Sequence, residues 1–260
     1  GIIAVLGLIE TNRKNSQDHI RQVHAARRDR YIEAVDKLSS ENASVRLGGV
    51  YALVGLVDEW LDDDNMDRES RIKEGQIIIN NFCSYIRSPF PLAEKIEEYE
   101  ARKELEKLQK TDSEKLSKKD SSRLQILLKR FKDSDEYEKP KDITADYAKL
   151  HEEQDVRRAI FDEIHKRSSN IVKDEKGKIV ETIPGLWSDF DFNFSRAPIF
   201  YPLNNLTIEK GNFSSAKFYS EASFSKTTFA QDADFSGAIF ALDADFSRAI
   251  FALDADFSRA

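Results

Sequence analysis

The chain has 260 residues, 40% of them apolar and 33% charged, and carries a formal net charge of −7. That length admits one large domain or two small ones, and the acidic balance gives no whole-chain reason to expect nucleic-acid binding. A single cysteine, Cys83, rules out an internal disulfide framework, and four scattered histidines offer no metal pattern.

The first nine residues, GIIAVLGLI, are apolar, and between residues 10 and 30 six Lys or Arg stand against three Asp or Glu. Nine residues cannot span a bilayer, which needs about 20. Followed by cations, the run reads as the cytoplasmic exit of a transmembrane helix begun before Gly1, with positive charge inside. A short buried helix end is the other reading. Residues 1–19 form this juxtamembrane segment.

A helical unit spans 20–93. Ile20, Val23, Tyr31, Val35 and Leu38 suit one amphipathic helix. A cap at Asn42 or Ser44 opens a second, with Val45, Val50, Leu53, Val54, Val57 and Leu61 inward. Gly48 and Gly49 each cost that helix about 1 kcal/mol against Ala, so close helix packing is expected there. A third helix covers about Arg68–Ile86 and stops before Pro89. Cys83, inside the apolar run IIINNFCSYI, reads as a small core residue.

Residues 94–150 are dominated by Lys and Glu, with sparse apolar positions at Ile96, Leu105, Leu108, Leu124, Leu127 and Phe131. They read either as an inserted helical hairpin turning near Lys118–Ser122 or as a partly disordered charged linker. Within them RLQILLKRF, residues 123–131, has an apolar and a basic face suited to a partner or to lipid headgroups. Residues 151–186 close the helical unit. There QDVRRAIFDEIHKR echoes ASVRLGGVYALVGL, with Val156 matching Val45, Arg157 matching Arg46 and Ile164 matching Leu53. This start resembles HEAT and armadillo helices.

Catalytic signals are weak. HEEQD at 151–155 begins like a zinc-protease helix, but Asp155 stands where the second His must come. DDDNMDRE at 62–69 lacks the Gly and Glu spacing of an EF-hand loop. There is no Gly-rich phosphate loop. The repeated Asp-Ala-Asp could pass for a carboxylate pair, yet a catalytic pair is needed once and a corner is needed every coil. The chain reads as a non-enzyme with no cofactor.

From residue 187 on, the sequence becomes periodic. Phe213, Phe218, Phe224, Phe229, Phe235, Phe240, Phe246, Phe251 and Phe257 alternate steps of five and six. A small residue stands two before nearly every one, and Glu221, Asp232, Asp243 and Asp254 add one acid per eleven residues. An α-helix would scatter residues five apart by roughly 130°, leaving no stripe, and period-two alternation is missing. A coil of short straight sides fits, one large and one small residue per side facing inward. Outward positions then hold Ile239, Leu242, Ile250 and Leu253, a candidate interaction surface. Phe235 and Phe246 are expected buried, with Asp234 and Asp245 in water.

The stretch ADFSG-AIFALD-ADFSR-AIFALD resembles the pentapeptide-repeat proteins in their Phe-centred form, with one residue inserted every second unit. The resemblance covers about 190–260. It implies an α+β chain, a helical leader followed by a right-handed quadrilateral β-helix of 22 residues per coil. Phe213, Phe235 and Phe257 would then stack, as would Phe224 and Phe246. Helical leaders of this form precede the solenoid in membrane-associated bacterial members. The implied protein is a membrane-tethered scaffold at the cytoplasmic face of a bacterial membrane, offering its solenoid to a protein partner or associating through the solenoid end. The alternative is an imitation of duplex DNA that occupies an enzyme such as gyrase. Residues 211–260 carry seven acids and four bases, a modest charge for mimicry. Trp187 is expected at the seam, capping the first coil, because an open strand edge must be covered.

Overall fold

The computed structural model describes residues 1–134, 136–219, 222–241 and 244–260. Helices come first: α1 (Ile2–Leu38), α2 (Ala43–Leu61), α3 (Arg68–Arg87), α4 (Pro91–Lys110), α5 (Lys118–Arg130) and α6 (Ile143–Arg167). A hairpin follows, β1 (Asn170–Lys173) and β2 (Ile179–Ile183). Short parallel strands complete the chain, from β3 (Phe192–Asn193) to β12 (Ala255–Asp256).

α1 begins at Ile2 rather than near Ile20, and its first half touches nothing. Ile2, Ile3, Val5, Leu6, Leu8 and Ile9 are all more than half exposed. Among the described residues no helix is long and apolar enough to cross a membrane. The second half of α1 packs on α2. At their crossing Gly49 is buried, and a Cβ there would sit 2.8 Å from the Ala34 carbonyl oxygen. Gly48 faces open space and has no part in the contact. Gly49→Ala should therefore lower the urea midpoint, while Gly48→Ala should raise stability by about 1 kcal/mol through helix propensity alone. Val45 is 39% exposed, because the covered stripe of α2 starts only at Gly49 and Val50.

Asp63 fastens the far end of this crossing. It is 7% exposed and accepts from Arg27 Nη1 at 2.5 Å, from the Asn65 amide at 3.0 Å and pairs with His24 Nε2 at 3.1 Å. Burial by itself would raise its carboxyl, but these bonds prevail and hold it well below the ordinary carboxylate range. A depressed folded value contributes stability that is present above about pH 4 and is lost as pH falls through the folded value. Melting temperature followed from neutrality down into acid should show that fall, and Asp63→Asn should flatten it.

Residues 94–150 are helical through α4 and α5, which pair antiparallel around Ala101, Leu108 and Leu127, a small core of their own. The turn lies at 111–117 rather than near Lys118–Ser122. The reason is the cap: Ser117 Oγ accepts from the Asp120 amide at 3.0 Å and donates to Asp120 Oδ2 at 2.7 Å, starting α5 there.

The parallel strands stack into three ladders: β4 (Pro198–Ile199), β7 (Lys217–Phe218) and β10 (Ile239–Phe240); β5 (Thr207–Ile208), β8 (Thr228–Phe229) and β11 (Ile250–Phe251); and β3, β6 (Gly211–Asn212), β9 (Ala233–Asp234) and β12. A fourth side is held by the bridge Ser223↔Asp245. Residues 22 apart face each other in every later pairing, as in Lys217↔Ile239, Thr228↔Ile250 and Ala233↔Ala255. The first coil is shorter, with Phe192 opposite Gly211 and Thr207 opposite Thr228. One continuous apolar core runs from α1–α3 and α6 into the coils.

Candidate interaction surface

The repeat writes a polar frame on the outside of the coil. Every second Phe of the ladder opens a corner closed by an i to i+3 bond, such as Ala238 N to Phe235 O at 3.0 Å and Ala249 N to Phe246 O at 2.9 Å. The third corner residue has positive φ in Arg196, Asn205, Ser215, Lys226, Gly237, Arg248 and Arg259, and only Gly237 is the residue type this conformation favours. The Asp before Phe steadies the corner. Asp234, Asp245 and Asp256 Oδ1 accept from the amides of Ser236, Ser247 and Ser258 at 2.8, 2.9 and 2.8 Å. Those amide bonds, with a second from each serine hydroxyl, pull the Asp245 and Asp256 carboxyls down. These aspartates are corner braces, a role their position in the repeat announces and the reading of them as water-facing missed. Asp234 is half-buried and Asp245 exposed.

Inside, Phe213, Phe218, Phe224, Phe229 and Phe235 are buried. Phe240, Phe246 and Phe251 are half-buried, and Phe257 is 40% exposed. Phe246 is thus less covered than Phe235, because fewer rings stack above it. Ring planes repeat coil on coil: Phe213–Phe235 at 5.2 Å, Phe235–Phe257 at 4.9 Å and Phe224–Phe246 at 4.9 Å, all within 4° of parallel. Such stacking adds to area burial.

The outward apolar residues do not form one patch. Ile239 is 60% exposed on β10, whereas Ile250 is half-buried on β11, in a different ladder. Leu253 is 59% exposed at the corner after β11, and Leu242 lies outside the described residues. A separate groove of about 580 Å³ runs along β3, β6, β9 and β12, its walls carrying Asp232, Asp234, Asp254 and Asp256 with Lys210 near its base.

The lower edge of the first coil is closed by the helices. Gln76 Nε2 donates to the Asp191 carbonyl at 2.9 Å, Arg87 to Asn193 at 2.6 Å and Gln154 to Phe200 at 2.8 Å. Arg158 donates to the carbonyls of Pro202 and Asn204, and the Thr207 amide donates to His165 Nδ1 at 2.7 Å. Trp187 is fully buried at this seam, its Nε1 donating to Asp58 Oδ1 at 3.0 Å while Arg167 grips the same carboxylate and stacks over the indole at 5.0 Å. Five side chains thus satisfy a strand edge that would otherwise invite pairing.

Residues with a superficial catalytic look are structural. Glu153 of HEEQD is buried among Arg46, Tyr85 and Arg157. Asp67 caps α3 through the Ser70 amide at 2.9 Å. Burial pushes the Cys83 thiol up to about 11, leaving it inert near neutrality. Among the described residues no group of His, Cys, Asp or Glu could hold a metal ion.

A family model described as Pentapeptide repeats (9 copies) matches residues 213–260. Comparison with curated proteins finds no match, and neither does comparison with solved structures. The match falls on the coils whose rings, corners and 22-residue register are set out above, and the chain is thus a helical protein that carries pentapeptide repeats across 213–260.

Proposed function

We propose that this chain is a non-enzymatic, membrane-tethered scaffold that presents its solenoid to a protein partner at the cytoplasmic face of a membrane. The coil is read as a right-handed quadrilateral β-helix; three stacked ladders and a bridged fourth side support that reading. The leader is read as HEAT- or armadillo-like. In support, Arg46 and Arg157 do similar work: each donates to carbonyls at a helix end, Ser40 and Glu41 just past α1 for one, Ile86 and Ser88 at the end of α3 for the other. Membrane attachment draws on the exposed apolar run of α1, which is apolar around the whole helix and is followed by Arg13 and Lys14.

The observation that carries the scaffold reading is the asymmetry of the coil. Its first turn is bonded to the helices, while Ile239 and Leu253 of later turns stay uncovered. Exposed apolar side chains on a rigid frame mark contact surfaces. DNA imitation is the second reading, drawn from the acid groove; Lys226 and Arg248, stacked at one corner, work against it.

Flotation with anionic vesicles tests the tether: the chain should float, and Ile3→Glu with Leu6→Glu should not. Sedimentation should show self-association weakened by Ile250→Lys with Leu253→Lys. DNA supercoiling by gyrase should proceed unhindered in its presence. Inhibition of gyrase, with no vesicle binding, would favour the second reading.

A further inference from the structure

The inserted hairpin leaves a second open surface, independent of the solenoid. α4 and α5 bury only Ala101, Leu108 and Leu127 between them. A two-helix pair has an unfilled side, and here it is a groove of about 610 Å³. Its floor is apolar: Leu105 and Phe131 are half-buried and Leu128 is 38% exposed. Among the described residues no carboxylate lines it. One end carries Lys129 and Lys132, the other Gln109 and Gln125.

The three arginines of this hairpin are already engaged. Arg123 bonds Glu104 through two nitrogens, at 3.1 and 3.0 Å, and Arg130 bonds Glu97 at 2.7 and 2.8 Å. Arg102 is held by Glu98 at 2.9 Å and lies over Phe131 at 4.3 Å. Lys129 and Lys132 alone on that rim have no ion pair among the described residues, and both are exposed.

We propose that this groove docks an acidic amphipathic helix of a partner protein, laid between α4 and α5 as a third helix. Gln125, Leu128 and Lys129 follow i, i+3, i+4 spacing on α5, one face of the helix, and Lys132 lies just past its end. The unbalanced positive end calls for carboxylates, and the apolar floor for a Leu-type stripe. A concave seat between two helices fits a helix better than a flat lipid surface.

The test uses the full chain with Ile3→Glu and Leu6→Glu, so that α1 plays no part. The probes are a labelled designed peptide of about 18 residues, with Leu at helical spacing and Glu elsewhere, and its twin with Lys for Glu. Fluorescence anisotropy should show saturable binding of the acidic peptide and about tenfold weaker binding of the twin. Lys129→Glu with Lys132→Glu should reverse that preference, and Leu128→Glu should abolish binding of both. All three positions are exposed, and an unchanged urea midpoint verifies folding. Equal binding of the two peptides, no binding of the acidic one, or uptake by phosphatidylglycerol vesicles through Lys129 and Lys132 instead would overturn the proposal.

Discussion

Arg157→Ala should destabilise the chain by about 3–5 kcal/mol, the range for removing one partner of a buried ion pair. The guanidinium is 1% exposed. Its Nε donates to Glu153 Oε1 at 2.8 Å, Nη1 to the Ile86 carbonyl at 3.0 Å, and Nη2 to the Ser88 carbonyl at 3.0 Å and its hydroxyl at 3.1 Å. It also lies over Phe200 at 5.1 Å. Truncation strands the end of α3 and leaves Glu153 with only Arg46 and Tyr85. The loss comes from buried groups left without partners, so Arg157→Met with Glu153→Gln should cost less than the two single changes summed. Urea midpoints of the four proteins decide it. Additive losses would show that Glu153 and Arg157 do not act as one unit.

Phe235→Ala should cost a comparable amount, about 3–5 kcal/mol, as expected for emptying a buried aromatic site. Phe235 is fully buried, and its ring lies within 6.1 Å of those of Phe213, Phe218, Phe224, Phe229, Phe246 and Phe257. No neighbour can move in without breaking its own stack. Phe246→Ala should cost less, because its site is half open. Asp245→Ala removes an exposed corner brace and should shift the midpoint least. Equal shifts for Phe235→Ala and Asp245→Ala would contradict an inward Phe ladder.

The coils were legible because a solenoid writes its spatial period into its sequence: each Phe faces the Phe 22 residues on, so spacing alone gives the stack. The first coil was legible only in outline, since its offsets differ and Ile199, Leu203 and Ile208 take the Phe places. Arg157 was read as one half of a weak echo, because arginine is rarely buried and nothing local reveals that Glu153 lies one turn back on the covered side. The β1–β2 hairpin went unread although its signals were present, two β-branched runs around Asp174 and Gly177, the latter at φ 79°. The cap that starts α5, Ser117 with Asp120, was equally readable and overlooked. What sequence could not supply was the long-range pairing: which carbonyls of the first coil meet Gln76, Arg87, Gln154 and Arg158, residues that lie 44 to 115 positions away from their partners.

Paired cysteines test the 22-residue coil most directly. Thr228 and Ile250 stand opposite each other on adjacent strands, whereas Ile239 and Ile250, half that distance apart in sequence, lie in different ladders. Bridging needs Cα atoms within about 7 Å. On mild oxidation, Thr228→Cys with Ile250→Cys should form an intramolecular disulfide, and Ile239→Cys with Ile250→Cys should stay reduced. A disulfide in the second pair but not the first would contradict the coil.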